Sequence, residues 1–321
     1  MNKLNVPRDI SVPKVWDRTG LPSWSYHNSE LLEIEKESLF YSHWQLICHQ
    51  SDVSSIGEYI TFDICKERIL ILRDDKKVIR AFNNLCRHRG SRVVADRKGK
   101  CSAIVCPFHG WVYNFDGSLR GPAKPSSFPK LDKNKLGLKR LDCEIWNGFV
   151  FVRLNKGPQP SVKELMMPFE EELSYYKIEE MVPAGDIWTQ TSNVNWKSVR
   201  DVDNEGYHVP MAHPSLQDLY GNNYFDEPFV NGTSKTHAKF SGKAGRYWSV
   251  RNYKNLSTPA KHLPKKLHKS WNYFGIFPNA VIAVTPELVQ FYQEFPISTK
   301  LTLLRGAIYR HKKENRKTRG I

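Results

Sequence analysis

Two short runs of this chain each set a cysteine close to a histidine. Leu85-Cys86-Arg87-His88-Arg89-Gly90 supplies Cys-x-His, and Cys106-Pro107-Phe108-His109-Gly110-Trp111 supplies Cys-x-x-His, with 17 residues between His88 and Cys106. Gly90, Pro107 and Gly110 supply the backbone bends that fold each run into a tight loop. Each pair offers one soft thiolate and one imidazole. A [2Fe–2S] centre with two Cys on one iron and two His on the other needs this composition. Replacing two thiolates with neutral imidazoles removes negative charge and raises the potential to between about −150 and +300 mV. The competing reading is a Cys2His2 zinc site, but zinc knuckles usually keep cysteines with cysteines and histidines with histidines. The mixed pairing here favours the iron–sulfur centre.

A second constellation follows in Asn195-Trp196-Lys197 and on through Glu205, His208 and His213. Asn193 to His208 reads as one helix, ended by Pro210. Glu205 and His208, three apart, would then share a helix face, and the break would let His213 swing back towards them. Two converging histidines with an acid beside them suit Fe(II) in a two-His-one-carboxylate triad, which leaves positions open for O2 and substrate. Spacing alone is a weak signal. A zinc protease would need H-E-x-x-H, which is absent, and a di-iron carboxylate bundle would need two E-x-x-H motifs where only Glu205 to His208 fits.

The elements that position these residues are legible in outline. Residues 29–44 carry an amphipathic helical pattern through Leu31, Leu32, Ile34, Leu39 and Phe40. From about Gly57, EYITFDI, RILILR and VIRAF are short β-branched runs parted by charged turns, the pattern of an antiparallel unit. Asp116-Gly117 between apolar flanks predicts a hairpin, and residues 148–154 predict another strand. Asn155 to Pro160 reads as a linker. Ser161 and Glu164 form a capping box opening a helix towards Tyr176, and 280–284 and 301–309 predict late strands. The expected architecture is α+β: an N-terminal helical segment (1–43) packing on the larger unit, an antiparallel β domain (44–155), and a second domain (156–321).

Composition narrows the classes. Hydrophobic residues make up 40% and charged residues 25% of 321 residues, a globular balance. No apolar run suggests a membrane span, and the first 20 residues lack the apolar stretch of a secretory signal, so the expectation is a cytoplasmic protein that binds no membrane. Six dispersed cysteines do not make a disulfide scaffold. The net charge of +15 could attract an acidic partner, but no nucleic-acid motif accompanies it. Six aromatics, Tyr220, Tyr224, Phe225, Trp271, Tyr273 and Phe274, are either core or the walls of a substrate pocket; an aromatic cage would suit a quaternary ammonium group.

At the Cys-His runs the chain resembles the large (α) subunits of Rieske non-haem iron oxygenases. The likeness runs from Trp44 through Arg80-Ala-Phe-Asn-Asn to Trp111 and Leu119. Respiratory Rieske proteins carry an extra disulfide-forming cysteine in each loop, where this chain has Ser91 and Phe108. The resemblance implies that Cys86, His88, Cys106 and His109 hold the cluster and that His208 and His213 hold a mononuclear Fe(II). It implies a helix-grip (START-like) catalytic domain, and Glu205 as the acid linking one subunit's iron to a neighbour's Rieske histidine within a homotrimer, with or without a β subunit. NAD(P)H electrons would arrive indirectly, through a flavin reductase, a ferredoxin or both. The reaction would use O2 to hydroxylate or demethylate a small organic substrate, either an aromatic, as in aromatic hydrocarbon catabolism, or a quaternary ammonium compound. Glutamate at 205 leans towards the quaternary ammonium branches.

Two departures stand out. Arg200-Asp201 replaces the family's usual Glu-Asn, and the third iron ligand of the family lies on a late helix. The tail before Ile321 offers only Glu314, too early, which suggests a chain cut short; the fallback ligand is Asp201. The rival readings are a Rieske electron carrier without oxygenase activity and a structural zinc protein.

Overall fold

A computed structural model describes residues 20–230 and 232–312. Glu314 and most of the basic run from Arg310 to Arg319 lie outside the described residues. The β-branched runs form an antiparallel four-stranded sheet in the order Ile79–Asn83, Glu67–Arg73, Glu58–Ile64, Lys98–Lys100. A small sheet carries the Asp116-Gly117 hairpin, between Val112–Tyr113 and Leu119–Gly121. A third pairs Gln45–His49 with Phe149–Arg153 and Asp142–Trp146. Leu70, Leu72, Phe82, Trp111 and Tyr113 close one core directly over Cys86 and Cys106. The two cysteine loops are thus anchored on packed apolar residues, not on mobile connections.

The remaining strands form one eight-stranded sheet dominated by the long pair Leu288–Ser298 and Leu301–Arg310. Together with the helices this is the expected α+β architecture. Period-2 alternation gives the sheet two distinct faces. Phe274, Ile282, Phe291 and Ala307 lie in register and are buried in the core with Phe149 and Leu165. Their neighbours Gly275, Val281 and Tyr292 look the other way, into a polar cavity. On Leu288–Ser298 the odd residues 291, 293 and 295 therefore serve the core and the seam with the β domain, and Tyr292 and Glu294 serve the opposite side.

The early helix spans Ser29–Glu35, capped by Asn28, and widens into a π turn over Lys36–Phe40. It packs on the large unit: buried Glu35 accepts from Lys197 Nζ at 2.7 Å and from Trp196 Nε1 at 2.8 Å, and the Phe40 ring meets Trp196 edge-on. The capping box forms, with Ser161 and Glu164 exchanging both bonds. The helix it opens ends at Met166, and a separate one runs Glu170–Ser174 after Pro168.

One expectation is corrected. Asn193 to His208 is not one helix, and Pro210 does not end it. The helix is Trp196–Asp203, capped by the Asn195 side chain, and Pro210 sits in the first turn of a later short helix, Val209–Ala212. Asn204 and Gly206 are poor helix formers. The Gly206 N–H is captured by Asp226 Oδ2 at 2.9 Å, and a β-carbon at 206 would stand 1.8 Å from the Tyr224 ring, so only glycine fits this crossing.

Candidate functional site

The two cysteine loops are built to the same plan. In each, the cysteine N–H donates to the carbonyl five residues on, Ser91 at 2.8 Å and Trp111 at 2.8 Å. In each, a glycine four residues on donates back to the cysteine carbonyl, Gly90 at 2.9 Å and Gly110 at 3.0 Å. Both glycines have positive φ, +69° and +64°. The loops face each other so that the His88 and His109 rings lie 4.8 Å apart. Trp111 stacks flat on His88, and Phe128 meets both rings edge-on. Tyr113 Oη lies 3.2 Å from Cys86 Sγ and accepts the Arg87 N–H at 3.0 Å.

This arrangement fits a metal cluster on its own chemistry. Both cysteines are buried. Burial pushes the Cys86 thiol up, neighbouring Cys106 adds to the rise and the Tyr113 hydroxyl opposes it, so thiolates here need a cation to hold them. Partial burial, with His109 and Arg89 nearby, holds His88 below its usual value and therefore neutral, as a metal ligand must be. His88 Nδ1 is shielded from solvent and has no hydrogen-bond partner among the described residues, an orphan that a metal would satisfy.

The second site lies at the break after the Trp196–Asp203 helix. His208 immediately precedes Val209–Ala212, and His213 stands between that helix and Pro214–Tyr220. Their rings come to 5.2 Å. Glu205 and His208 share no helix face, yet the turn joins them: Glu205 Oε1 lies 2.7 Å from His208 Nδ1, and Oε2 accepts the His208 N–H at 3.1 Å. A carboxylate on Nδ1 fixes the tautomer and leaves Nε2 as the nitrogen free for a metal. The three residues line a cavity of ≈ 190 Å³ together with Arg200, Asp203, Tyr220, Tyr224, Tyr273 and Tyr292.

Sequence reasoning missed the frame behind this cavity. Arg200, noticed only as a departure, forks onto Glu294 at 2.5 and 2.7 Å and reaches Asp203 at 3.0 Å, while Tyr292 donates to Asp203 at 2.7 Å. Burial pushes Glu294 up to about 7 against the pull of Arg200. Strand alternation was the available signal for Tyr292; its partner, 89 residues away, was not readable. Of the six candidate aromatics, Tyr220, Tyr224 and Tyr273 line the cavity, and Trp271 packs edge-on against Tyr220. Phe274 belongs to the core on the other face, and Phe225 lies against His237.

Asp201 is not brought to this group. The helix that was to carry it to His208 ends at Asp203, and its carboxylate accepts the Tyr26 hydroxyl instead. Among the described residues, no three His, Cys, Asp or Glu side chains converge as a single-ion site. The His208 and His213 imidazoles, 5.2 Å apart, fit an iron as two of its ligands.

Residues 43–136 match the Rieske [2Fe-2S] domain family, and residues 174–320 match the ring hydroxylating alpha subunit (catalytic domain) family. These domains imply a Rieske cluster and a mononuclear iron. The chain is 31% identical over 199 residues to the glycine betaine monooxygenase oxygenase subunit of Pseudomonas aeruginosa, covering 61% of this chain and 45% of that protein. It thus spans about half the length of that relative. It is 26% identical over 325 residues to the carnitine monooxygenase oxygenase subunit of Escherichia coli, covering 95% and 80%. A crystal structure of a quaternary ammonium Rieske monooxygenase superposes with a TM-score of 0.74 at 26% identity, over 89% of this chain and 74% of that one. The chain thus carries a Rieske [2Fe-2S] domain followed by a ring hydroxylating alpha subunit catalytic domain.

Proposed function

We propose that this chain is the terminal oxygenase component of a Rieske oxygenase system, hydroxylating or oxidatively demethylating a small quaternary ammonium or aromatic compound with O2. The observation that carries the reading is the coexistence in one chain of two equivalent Cys-His loops and a His208–His213 pair opening on a tyrosine-walled cavity. Cys86, His88, Cys106 and His109 would hold the cluster, and His208 and His213 the iron. Bound there, the two groups supply single electrons and O2 activation.

The chain's own side chains set the conditions. Glu205 holds the His208 ring by Nδ1, fixing its direction and raising its basicity as a ligand. Arg200 and Tyr292 hold Asp203 at the cavity wall. Burial pushes Tyr273 up to about 12, and Tyr220, Tyr224 and Tyr292 higher, so all four phenols stay neutral. Neutral aromatic faces beside Asp203 and Glu205 attract a cationic head group without a formal ion pair. The names of the betaine and carnitine relatives support the same substrate class.

Apolar exposure supports assembly. Phe108, beside His109, is 62% exposed; Tyr207 and Met211, flanking His208, are 85% and 89% exposed. Such residues next to reactive sites mark surfaces that a partner covers, here the neighbouring copies of a homotrimer. The electron donor is a reductase or ferredoxin drawing on NAD(P)H in the cytoplasm, and it meets a basic surface: residues 84–140 hold 13 Lys and Arg against 3 Asp and Glu. Among the described residues no helix is long and apolar enough to cross a membrane.

The test is iron content per chain with EPR of the dithionite-reduced protein, followed by O2 uptake across betaines and aromatic acids. A Rieske signal with about three irons and substrate-coupled uptake is expected. About two irons and no uptake with any substrate would favour the electron-carrier reading; zinc in a colourless protein would overturn both.

A further inference from the structure

On the other side of the large sheet, a separate cavity of ≈ 720 Å³ opens in the seam between strand Glu58–Ile64 and the paired strands Trp188–Ser192 and Leu301–Arg310. Its floor is Arg305, 2% exposed. The guanidinium donates to the carbonyls of Leu46 at 3.1 Å and Ile47 at 2.7 Å and to Gln293 Oε1 at 3.0 Å, and it lies 4.1 Å from the Phe62 ring. Each of these partners is neutral, and Nε is buried with no partner among the described residues. A buried cation without a paired counter-charge is costly.

The carboxylates lining the seam are committed elsewhere. Asp52 accepts from the His49 N–H and the Tyr309 hydroxyl. Asp63 pairs through Oδ2 with Arg92 at 2.5 Å, and Asp186 lies 3.8 Å from Lys98. Arg97, at the rim, reaches only Thr189 Oγ1, at 3.3 Å. The lining thus holds four cations, Arg92, Arg97, Lys98 and Arg305, against three carboxylates, and among the described residues no carboxylate bonds Arg97 or Arg305. Asp63 Oδ1 is buried and has no partner among the described residues, an acceptor awaiting a donor. The volume lies in the range of small-molecule sites.

We infer that this seam binds a small organic carboxylate bearing a hydroxyl group, its anionic end towards Arg97 and Arg305 and its hydroxyl donating to Asp63. One wall comes from the β domain and the other from the large sheet, so the ligand bridges the two units. The inference does not depend on the oxygenase reading, because the seam and the tyrosine-walled cavity are separate sites.

The experiment uses the full chain with its iron centres, measuring thermal unfolding and isothermal titration calorimetry with L-malate, succinate and inorganic phosphate. L-Malate should bind once per chain, tighter than succinate and phosphate, and raise Tm by roughly 5 °C at about a hundredfold over its Kd. Arg97→Gln, an exposed change, should weaken binding at least about tenfold, the loss of a charge-assisted bond. Ala95→Trp, which fills the mouth without altering charge, should abolish it, and His208→Ala should leave it intact. The inference is overturned if none of the three probes binds saturably, if malate binds equally well to the Arg97 and Ala95 variants, or if His208→Ala removes the binding.

Discussion

At Cys86–Gly90 and Cys106–Gly110 each loop closes on itself with two backbone bonds, and both histidine rings lie against neighbouring aromatics, His88 stacked on Trp111 and His109 tilted against Phe108. At Glu205–His213 the geometry comes from elsewhere: a helix that stops, a carboxylate 20 residues away that catches the broken end, and a buried Arg200–Glu294 pair behind it. The first site is local and self-supporting. The second is assembled from the tertiary frame, which makes it adjustable in shape and vulnerable at a distance. An electron-transfer centre needs a fixed ligand shell, whereas a substrate-binding centre needs walls that can differ between relatives.

The sharpest way to break this contrast is to remove a ligand from each site. Cys86→Ser or Cys106→Ser should abolish the reduced-state EPR signal and the acid-labile sulfide, taking about two irons per chain with them. His208→Ala should abolish substrate-coupled O2 uptake while leaving the Rieske signal at full intensity. If the signal falls too, the sites are not independent. Glu205→Gln should retain the cluster and lose about 10- to 100-fold in iron affinity or turnover, with partial recovery in Glu205→Asp; unchanged iron binding and turnover would remove Glu205 from its positioning role.

Glu294→Ala tests the frame. It strands buried Arg200 and should lower stability by about 3–5 kcal/mol in urea unfolding, with the Rieske signal unaffected in the folded protein. A loss within about 0.5 kcal/mol would show that the second site does not lean on that pair.

The smallest effect concerns acid. Burial depresses His49 from 6.5 to about 4. Between these values the unfolded chain takes up a proton that the folded chain refuses, so stability rises with pH there and is lost as pH falls from 6.5 towards 4, at up to about 1.4 kcal/mol per unit. Urea midpoints at pH 7 and pH 5 should differ less in His49→Asn than in the parent.

The same contrast explains what could be read from the residues alone. The cluster loops, the Asp116-Gly117 hairpin and the Ser161–Glu164 box depend on neighbours within a few residues, and all were legible. The pairing of Glu205, His208 and His213 was anticipated, but by a mechanism the fold does not use: the break falls at Asn204-Glu205-Gly206, and Pro210 starts a helix. Asp201 drew attention through that helix, which ends too soon to carry it. Lys197 on Glu35, Tyr292 on Asp203 and Arg305 on Ile47 span 162, 89 and 258 residues. No local propensity specifies such pairs; they follow only once the sheet's register is known.

That register makes strand Leu288–Ser298 a shared partition. Its odd positions hold the floor of the seam through Gln293, and its even positions hold the tyrosine-walled cavity through Tyr292 and Glu294. Deleting one residue near its start would turn every side chain beyond it to the opposite face and damage both compartments at once. This strand should tolerate exchange of side chains but not a change of length.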